Sequence, residues 1–344
     1  MKTVVCHGPR DLRIQEQEPP SPGPGEVLLG VQAGGICGSD LHYFHDGGFG
    51  TVRIREPMIL GHEVAARVSA LGEGVEGLAV GDLVAVNPSQ PCGHCEYCQR
   101  AQYNHCLEMR FYGSAMRFPH IQGAFRQALV ARAEQCFRLP GDTSPEYAAC
   151  AEPLSVALHG VRRAGPLIGG RVLVTGCGPI GALVAAAAKL HGALEVVVTD
   201  VVDEPLARVL KVGADRTINV ASDAASLQAY GRDKGRFDVV IECSGNALAL
   251  RSALDVIRPR GRFIQLGLGG EVTMPMNQIV AKEIEWCGSF RFHEEFAWAV
   301  ELIGSRRIDL APLLTGVYPV DEAVAAFEAA GNRKTSMKVL LNFQ

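Results

Sequence analysis

The chain lacks long apolar runs of the kind that cross or enter a membrane. Its longest apolar run, Ala182 to Ala188, is far shorter than the roughly 20 residues that a membrane-spanning helix needs. The start, MKTVVCHGPR, has one lysine and no apolar core like that of a secretory signal. We therefore expect a cytoplasmic protein, in a compartment that keeps thiols reduced and with no membrane as a partner.

The chain also lacks a large excess of charge of one sign. A net charge of -4 argues against nucleic acid, or an anionic membrane surface, as the main partner. No internal repeat or low-complexity tract is present, and residues 18–26, EPPSPGPGE, form the most turn-rich segment. A chain of 344 residues with ordinary globular composition predicts about two domains, each with its own core.

Cysteine, by contrast, is plentiful and clustered. Four of the 11 cysteines lie in the stretch PCGHCEYCQRAQYNHC, and they are Cys92, Cys95, Cys98 and Cys106. In a reducing compartment such a cluster is more typical of a metal site than of disulfides. The spacing C-x2-C-x2-C-x7-C suits four thiolates around a structural zinc ion. An iron–sulfur cluster is the main alternative, but ferredoxins have shorter spacing and a Cys-Pro at the fourth position.

A zinc ion closed by four thiolates leaves no position for a substrate, so any chemistry must lie elsewhere. The second half of the chain alternates strand-like and helix-like segments. RVLVT is followed by GCGPIG, by an apolar helix over Ile180 to Leu190, and by EVVVTD, which ends in Asp200. The glycines match G-x-G-x-x-G, whose helix N-terminus faces a pyrophosphate. The residues expected to bind the cofactor are Gly176, Gly178, Pro179, Ile180, Gly181 and Asp200.

Asp200 indicates which dinucleotide is bound. A carboxylate 19 residues beyond the last glycine of the pattern can bond the adenosine ribose hydroxyls and repel a 2′-phosphate. NAD is therefore favoured, with NADP possible as a minor cofactor. Val201 and Val202, which follow, bring no arginine for that phosphate. Further alternation downstream predicts an α/β fold with a doubly wound parallel sheet.

Several stretches now identify a family resemblance that runs from about Lys2 to Phe343. Together with the cysteine cluster they resemble the zinc-containing medium-chain dehydrogenases, and they are GGICGSDLHY, LGHEVAARV, VGDLVAV, AEPLSVALHGV, GCGPIG and GSFRF. CGSDLHYF, AEPLSV and FRF are similar to the polyol (sorbitol) dehydrogenase branch. The resemblance implies a Rossmann nucleotide domain at residues 151–290. A mainly β, GroES-like catalytic domain would span 1–150 and 291–344, with its zinc lobe at about 88–110.

The resemblance also implies a second, catalytic zinc ion, so that two zinc ions are expected per chain. Cys37 and His62 would bind it together with a glutamate. Glu63 and Glu152 are both candidates for that glutamate, and neither is ranked first; alternatively, the resemblance implies that Glu152 is a catalytic residue that holds the metal-bound water. A set of sulfur, nitrogen and oxygen ligands from three residues leaves a fourth position for water or substrate.

Other positions match the proton path and the substrate wall of the branch. Asp40 is expected to orient His62, because a metal-bound imidazole usually donates its other ring proton to a carboxylate. Ser39 and His42 match the positions that carry the alcohol proton to water. The residues expected to face the substrate are Tyr43, Arg110, Phe111 and Arg291, with Arg117 near the same wall. Arginine suits the carboxylate of a sugar acid because it can donate two parallel hydrogen bonds.

The resemblance implies hydride transfer between NAD and a secondary alcohol of a small sugar acid or polyol. VNPSQPCGHCEYC and MRFYGSAMRFPH resemble the members of this branch that act on L-idonate, so the resemblance implies oxidation of L-idonate to 5-keto-D-gluconate. The alternatives are a sorbitol- or xylitol-type polyol or threonine dehydrogenase and, in another class, a non-catalytic nucleotide sensor on the same scaffold. Sorbitol-type enzymes carry an arginine five residues after the ribose acid, where this chain has Pro205. A homodimer or homotetramer is expected.

Overall fold

The first part of the chain is rich in strands. The structure is a computed structural model that describes residues 1–344. The strands of this part are β1 (Lys2–Gly8), β2 (Asp11–Glu16), β3 (Glu26–Gly35), β4 (Gly48–Phe49), β5 (Val52–Arg53), β6 (Met58–Ile59), β7 (Glu63–Leu71), β8 (Leu83–Val86), β9 (Ser89–Gln90), β10 (Arg110–Phe111), β11 (Ala128–Arg132) and β12 (Cys136–Arg138). Its helices are α1 (Gly38–Asp46), α2 (Glu96–Gln99) and α3 (Pro145–Ala149).

Strands and helices alternate in the second part. The helices are α4 (Ala151–Ala164), α5 (Pro179–Leu190), α6 (Asp203–Val209), α7 (Ala224–Gln228), α8 (Ala247–Val256), α9 (Met276–Ala281), α10 (Glu295–Gly304) and α11 (Ala323–Gly331). The strands are β13 (Arg171–Thr175), β14 (Glu195–Asp200), β15 (Arg216–Asn219), β16 (Phe237–Glu242), β17 (Ile257–Gln265), β18 (Glu285–Gly288), β19 (Leu314–Pro319) and β20 (Lys338–Asn342).

The nucleotide part is built on a six-stranded sheet in the order β15-β14-β13-β16-β17-β18. All neighbouring strands in it are parallel, and the order is that of a doubly wound dinucleotide-binding fold. Val172 and Val174 of β13 pack in one cluster with α4 and α5, whereas Leu173 packs on the opposite face with α8. Because helices cover both faces, this strand is apolar throughout. The predicted doubly wound parallel sheet is confirmed.

The longest apolar run of the sequence lies within α5. Every residue from Ala182 to Ala188 is buried, because this helix packs between β13 and β14 on one side and α4 on the other. A helix that is covered on all sides is apolar around its whole circumference. None of the helices combines the length and the apolar character that crossing a membrane would require.

The first part contains a mixed sheet in the order β12-β8-β7-β3-β20-β19, with β11 also paired to β3. The last strand, β20, therefore lies in a sheet built mainly from the amino-terminal part. Leu340 of β20 pairs with Gly35 of β3, and Gly35 pairs with Glu63 of β7. This return of the chain brings carboxyl-terminal side chains close to the predicted metal ligands. Domain boundaries near residues 150 and 290 stay a proposal.

Candidate active site

Three predicted metal ligands lie together where their elements begin. Cys37 is the N-cap of α1, His62 directly precedes β7, and Glu63 is the first residue of β7. The Cys37 sulfur, a His62 ring nitrogen and a Glu63 carboxylate oxygen all lie within 4.8 Å of one another. This set of sulfur, nitrogen and oxygen donors suits a zinc ion with three protein ligands and one open position.

The electrostatics of the triplet also fit a cation. Burial raises the pKa of the Cys37 thiol to about 12, and the negative charges of Glu63 and Asp40 act in the same direction. His62 is buried and its Nδ1 faces Asp40, which leaves Nε2 as the ring nitrogen available to a metal ion. A bound metal ion deprotonates a coordinating thiol, and coordination satisfies donor atoms that burial removes from water. The three residues therefore fit the zinc ion that the sequence predicts.

Glu152 lies near this triplet but outside it. It is the second residue of α4 and is buried. Burial raises its pKa to about 8, a shift that His62 opposes and that the charges of Glu63 and Cys37 increase. Of the two glutamates that the sequence left unranked, Glu63 is the one that the structure brings into the donor triplet.

Asp40 joins the two segments that carry the ligands. Its carboxylate is fully buried, accepts a hydrogen bond from the Cys37 amide at 3.0 Å, and accepts another from the Gly61 amide at 3.2 Å. Its Oδ1 atom also lies 3.8 Å from His62 Nδ1. Asp40 thus fixes the backbone on either side of the predicted zinc position and faces the imidazole.

The two predicted proton carriers lie at different depths of α1. Ser39, in the first turn, is half-buried. His42, one turn later, has a side chain that is 59% exposed, and its Nδ1 lies 3.4 Å from Asp46 Oδ2. The structure therefore places Ser39 beside Cys37, whose sulfur accepts a hydrogen bond from the Ser39 amide, and places His42 at the solvent.

A further residue of this site, Lys338, was missed by the sequence reasoning. Lys338 is the first residue of β20, is buried, and contacts the Glu63 carboxylate through its ammonium group. Burial by itself lowers the pKa of Lys338, but the charges of Glu63 and Cys37 outweigh burial and raise it above its ordinary value. No local motif marks this lysine, because the chain brings it to Glu63 only through strand pairing.

The predicted substrate residues Phe111 and Arg291 lie on one side of the ligand triplet. The Phe111 and His62 rings have centroids 5.5 Å apart, and the Arg291 guanidinium carbon lies 4.4 Å from the Phe111 centroid. Burial lowers the pKa of Arg291, an effect that the charge of Glu152 opposes. Tyr43 is buried, and its hydroxyl accepts a hydrogen bond from the Ala115 amide at 3.0 Å.

Arg110 and Arg117 are not brought to this wall, contrary to the expectation from the sequence. Both are exposed and line a separate cavity of about 450 Å³ beside Cys92 of the zinc lobe. Successive side chains of a strand point to opposite faces, so Arg110 points away from the face that Phe111 occupies in β10. The Arg117 guanidinium donates a hydrogen bond to the Glu108 carbonyl.

The four clustered cysteines form a second potential metal site. Their sulfur atoms all lie within 4.8 Å of one another, and those of Cys92 and Cys98 are 4.0 Å apart. Backbone amides donate to these sulfurs, as from Cys92 and Glu108 to Cys106 at 3.2 and 3.3 Å. Amide hydrogen bonds likewise lower the pKa of Cys95 to about 6, whereas burial raises the pKa of Cys98 and of Cys106. Amides that stabilise thiolates, and four sulfurs at this spacing, fit a structural zinc ion.

The glycine turn has the geometry that a dinucleotide requires. Gly176 has φ +85°, a left-handed conformation that favours glycine. A Cβ atom at Gly181 would clash with the Gly176 carbonyl, whereas one at Gly178 would point into open space. Gly178 is the N-cap of α5, and Pro179 and Ile180 are its first residues. The turn is thus tightly packed at Gly181 and open to solvent at Gly178, the N-terminus of α5, where a pyrophosphate would lie.

Asp200, at the end of β14, is held by both of its oxygens. One oxygen accepts the Cys177 amide at 2.6 Å, and the other accepts the amides of Val201 and Val202 at 2.7 and 3.1 Å. Arg333 also donates to this carboxylate, at 2.7 Å. An arginine thus reaches Asp200 from the carboxyl-terminal segment, although none follows Asp200 directly in the sequence.

Family models match two parts of the chain. The alcohol dehydrogenase GroES-like domain matches residues 23–141, and the zinc-binding dehydrogenase domain matches residues 179–305. L-idonate 5-dehydrogenase (NAD(P)(+)) of Escherichia coli K12 is 40% identical over 343 residues, which cover 99% of this chain and 98% of that protein. Human sorbitol dehydrogenase is 34% identical over 343 residues, covering 98% and 95%.

Solved structures of similar proteins cover the same length. The crystal structure of E. coli L-idonate 5-dehydrogenase superimposes with a TM-score of 0.95 at 39% identity, covering 99% of this chain and 97% of that one. A putative zinc-binding dehydrogenase from Sinorhizobium meliloti bound to NADP has a TM-score of 0.89 at 29% identity, covering 99% and 98%. A short chain alcohol dehydrogenase from E. coli CFT073 complexed with NADH has a TM-score of 0.89 at 28% identity, covering 99% of each chain.

Proposed function

Since the chain belongs to the zinc-binding dehydrogenase family, we propose that it transfers hydride between NAD and a secondary alcohol of a sugar acid. The proposed pair is L-idonate and 5-keto-D-gluconate. The similarity to the E. coli enzyme of that name supports this choice, as it extends over almost the full length of both chains. A homo-oligomer and a cytoplasmic location stay predictions.

One observation carries the proposal: a residue of the metal-ligand triplet, His62, and an arginine, Arg291, both lie against the ring of Phe111. The Phe111 centroid lies 5.5 Å from that of His62 and 4.4 Å from the Arg291 guanidinium carbon, so each residue is within about one side-chain length of the same ring. A planar guanidinium can donate two parallel hydrogen bonds to a carboxylate, which a neutral polyol lacks. We therefore assign Arg291 to the acid end of the substrate, and the triplet to its reacting alcohol.

The proposed roles divide between the cofactors and the chain. When bound, zinc supplies the Lewis acidity that polarises the reacting oxygen, and the nicotinamide accepts the hydride. Cys37, His62 and Glu63 would hold the zinc ion, with Asp40 orienting His62. Ser39, half-buried, would accept the alcohol proton, and exposed His42 would pass it to water.

The test is an activity screen of the purified protein with L-idonate, sorbitol, threonine and ethanol. We expect the highest kcat/KM with L-idonate. Cys37→Ala should abolish turnover and reduce zinc from about two ions per chain to about one, while NADH binding is retained. Cys287→Ala, a half-buried cysteine of β18, is the matched control and should leave zinc content and turnover unchanged. Near-normal rates in the Cys37→Ala variant would contradict the proposal.

A polyol dehydrogenase is the second candidate, favoured by the similarity to human sorbitol dehydrogenase. The same screen separates the two, because a polyol enzyme would use sorbitol at least as well as L-idonate. A non-catalytic nucleotide sensor would need no second zinc ion. A zinc content of about one per chain in the unmodified protein, with no turnover, would favour that alternative.

A further inference from the structure

A cation from the carboxyl-terminal segment lies at the carboxylate that selects between the two dinucleotides. Arg333 follows α11, and its guanidinium donates to Asp200 at 2.7 Å across 133 residues of chain. We propose that Arg333 is a specificity-determining residue that allows the chain to accept the 2′-phosphate of NADP alongside NAD. This inference rests on the proposed function, in that it requires a dinucleotide to bind with its ribose at Asp200.

The Asp200 carboxylate is fixed in position. Its side chain is 3% exposed, and amides of Cys177, Val201 and Val202 donate to its two oxygens. A carboxylate held in this way cannot turn away when a ligand arrives. A 2′-phosphate would therefore approach a stationary negative charge, which disfavours its binding unless a cation compensates.

Arg333 has the charge, the exposure and the free donors for that compensation. Its side chain is 55% exposed, and the bond to Asp200 is the one hydrogen bond that its guanidinium makes. A guanidinium has five N–H donors in a planar fork, so several remain for a phosphate. Arg333 can thus reduce the repulsion from Asp200 and bind the phosphate at the same time.

The other candidate groups near Asp200 cannot take this role. Val201 and Val202 are uncharged, and position 205, where sorbitol-type enzymes carry an arginine, is a buried proline. Arg208 of α6 is already engaged, since it donates to the Glu204 carboxylate at 2.6 Å and to the Pro312 carbonyl at 2.9 Å. Arg333 therefore supplies, from a distant part of the sequence, the cation that the local sequence lacks.

The experiment compares the binding of NADH and NADPH by fluorescence titration, with no alcohol present. We expect Arg333→Ala to weaken NADPH binding by about tenfold or more and NADH binding by less than about threefold, as for loss of a charge-assisted hydrogen bond. Arg333→Lys should retain part of the NADPH affinity. Lys334→Ala is the matched control, because this exposed neighbour makes no side-chain hydrogen bond, and it should change neither affinity.

Three results would overturn the inference. If Arg333→Ala weakened the binding of NADH and of NADPH equally, Arg333 would contact a part of the molecule that both dinucleotides have in common. Failure of the unmodified protein to bind NADPH would mean that Arg333 does not compensate for Asp200. If neither dinucleotide binds, the proposed function falls as well, whereas dinucleotide binding without turnover of L-idonate would overturn the proposed substrate alone.

Discussion

Lys338 and Glu63 form a buried ion pair beside the predicted catalytic zinc position. Their side chains are 4% and 1% exposed, and Lys338 also donates to the Ile36 carbonyl at 3.1 Å. The pair exists because β20 lies next to β3, and β3 next to β7. Lys338 therefore compensates the charge of a metal-ligand candidate from the opposite end of the chain.

Replacement of this lysine should destabilise the protein. Lys338→Met would leave the Glu63 charge buried without its partner, a change that costs about 3 kcal/mol or more of unfolding free energy. Urea unfolding of the metal-free protein measures the effect. Lys338→Met with Glu63→Gln should recover part of the loss, because the second change removes the unpaired charge. Lys334→Met is the exposed control. Equal unfolding free energies for Lys338→Met and Lys334→Met would contradict the prediction.

The two zinc sites should differ in their effect on stability. Cys98→Ser would remove one buried ligand of the four-cysteine site, so that zinc falls from about two ions per chain to about one. We also expect a lower thermal midpoint, because binding energy at a structural zinc site contributes directly to folding. Cys37→Ala should lower zinc content equally but the thermal midpoint less. Metal analysis and thermal unfolding of both variants test this. A lower thermal midpoint for Cys37→Ala than for Cys98→Ser would be evidence against it.

The parts of the site that could be predicted from the sequence depend on residues close together in the chain. The four cysteines span one loop, and the glycine turn joins a strand directly to its helix, so spacing alone constrains their geometry. The pairing of Cys37 with His62, by contrast, came only from the family resemblance. Local spacing cannot show which distant segments meet.

Lys338 and Arg333 illustrate what spacing could not reveal. Each is an ordinary surface-type cation in the sequence, and each meets its carboxylate partner only because the chain returns after the parallel sheet. Arg110 shows the converse error. It is next to Phe111 in the sequence, yet strand geometry directs the two side chains to opposite faces.

The different positions of the arginines predict different effects on substrate choice. Arg291→Ala should lower kcat/KM for L-idonate by about tenfold or more, because a charge-assisted contact with the carboxylate is lost. The same variant should lower kcat/KM for an uncharged polyol much less. Arg110→Ala, in the separate cavity beside the zinc lobe, is the matched control and should change kcat/KM for neither substrate. Steady-state kinetics with L-idonate and sorbitol provide the comparison, and equal losses on both substrates would count against this role of Arg291.

Because of Glu295, the unfolding free energy of the protein should depend on pH in the acidic range. The Glu295 side chain is 1% exposed and accepts hydrogen bonds at 3.0 Å from His159 and from Arg162, which tie α10 to α4. Burial alone would raise its pKa, but these bonds and one that the His293 amide donates at 2.9 Å outweigh burial and lower the pKa from the usual 4.5 to about 2.

A carboxyl group whose pKa is lower in the folded state stabilises that state above its unfolded pKa. The contribution of Glu295, about 2–3 kcal/mol, is then fully present above roughly pH 5 and is lost as the pH falls towards 2. Glu295→Gln should flatten this part of the curve of unfolding free energy against pH, as measured by urea unfolding. Glu294→Gln, an exposed neighbour that also pairs with Arg162, should leave the curve nearly unchanged. Parallel curves for the Glu295→Gln variant and the unmodified protein would mean that Glu295 has the same proton affinity in the folded and unfolded chains.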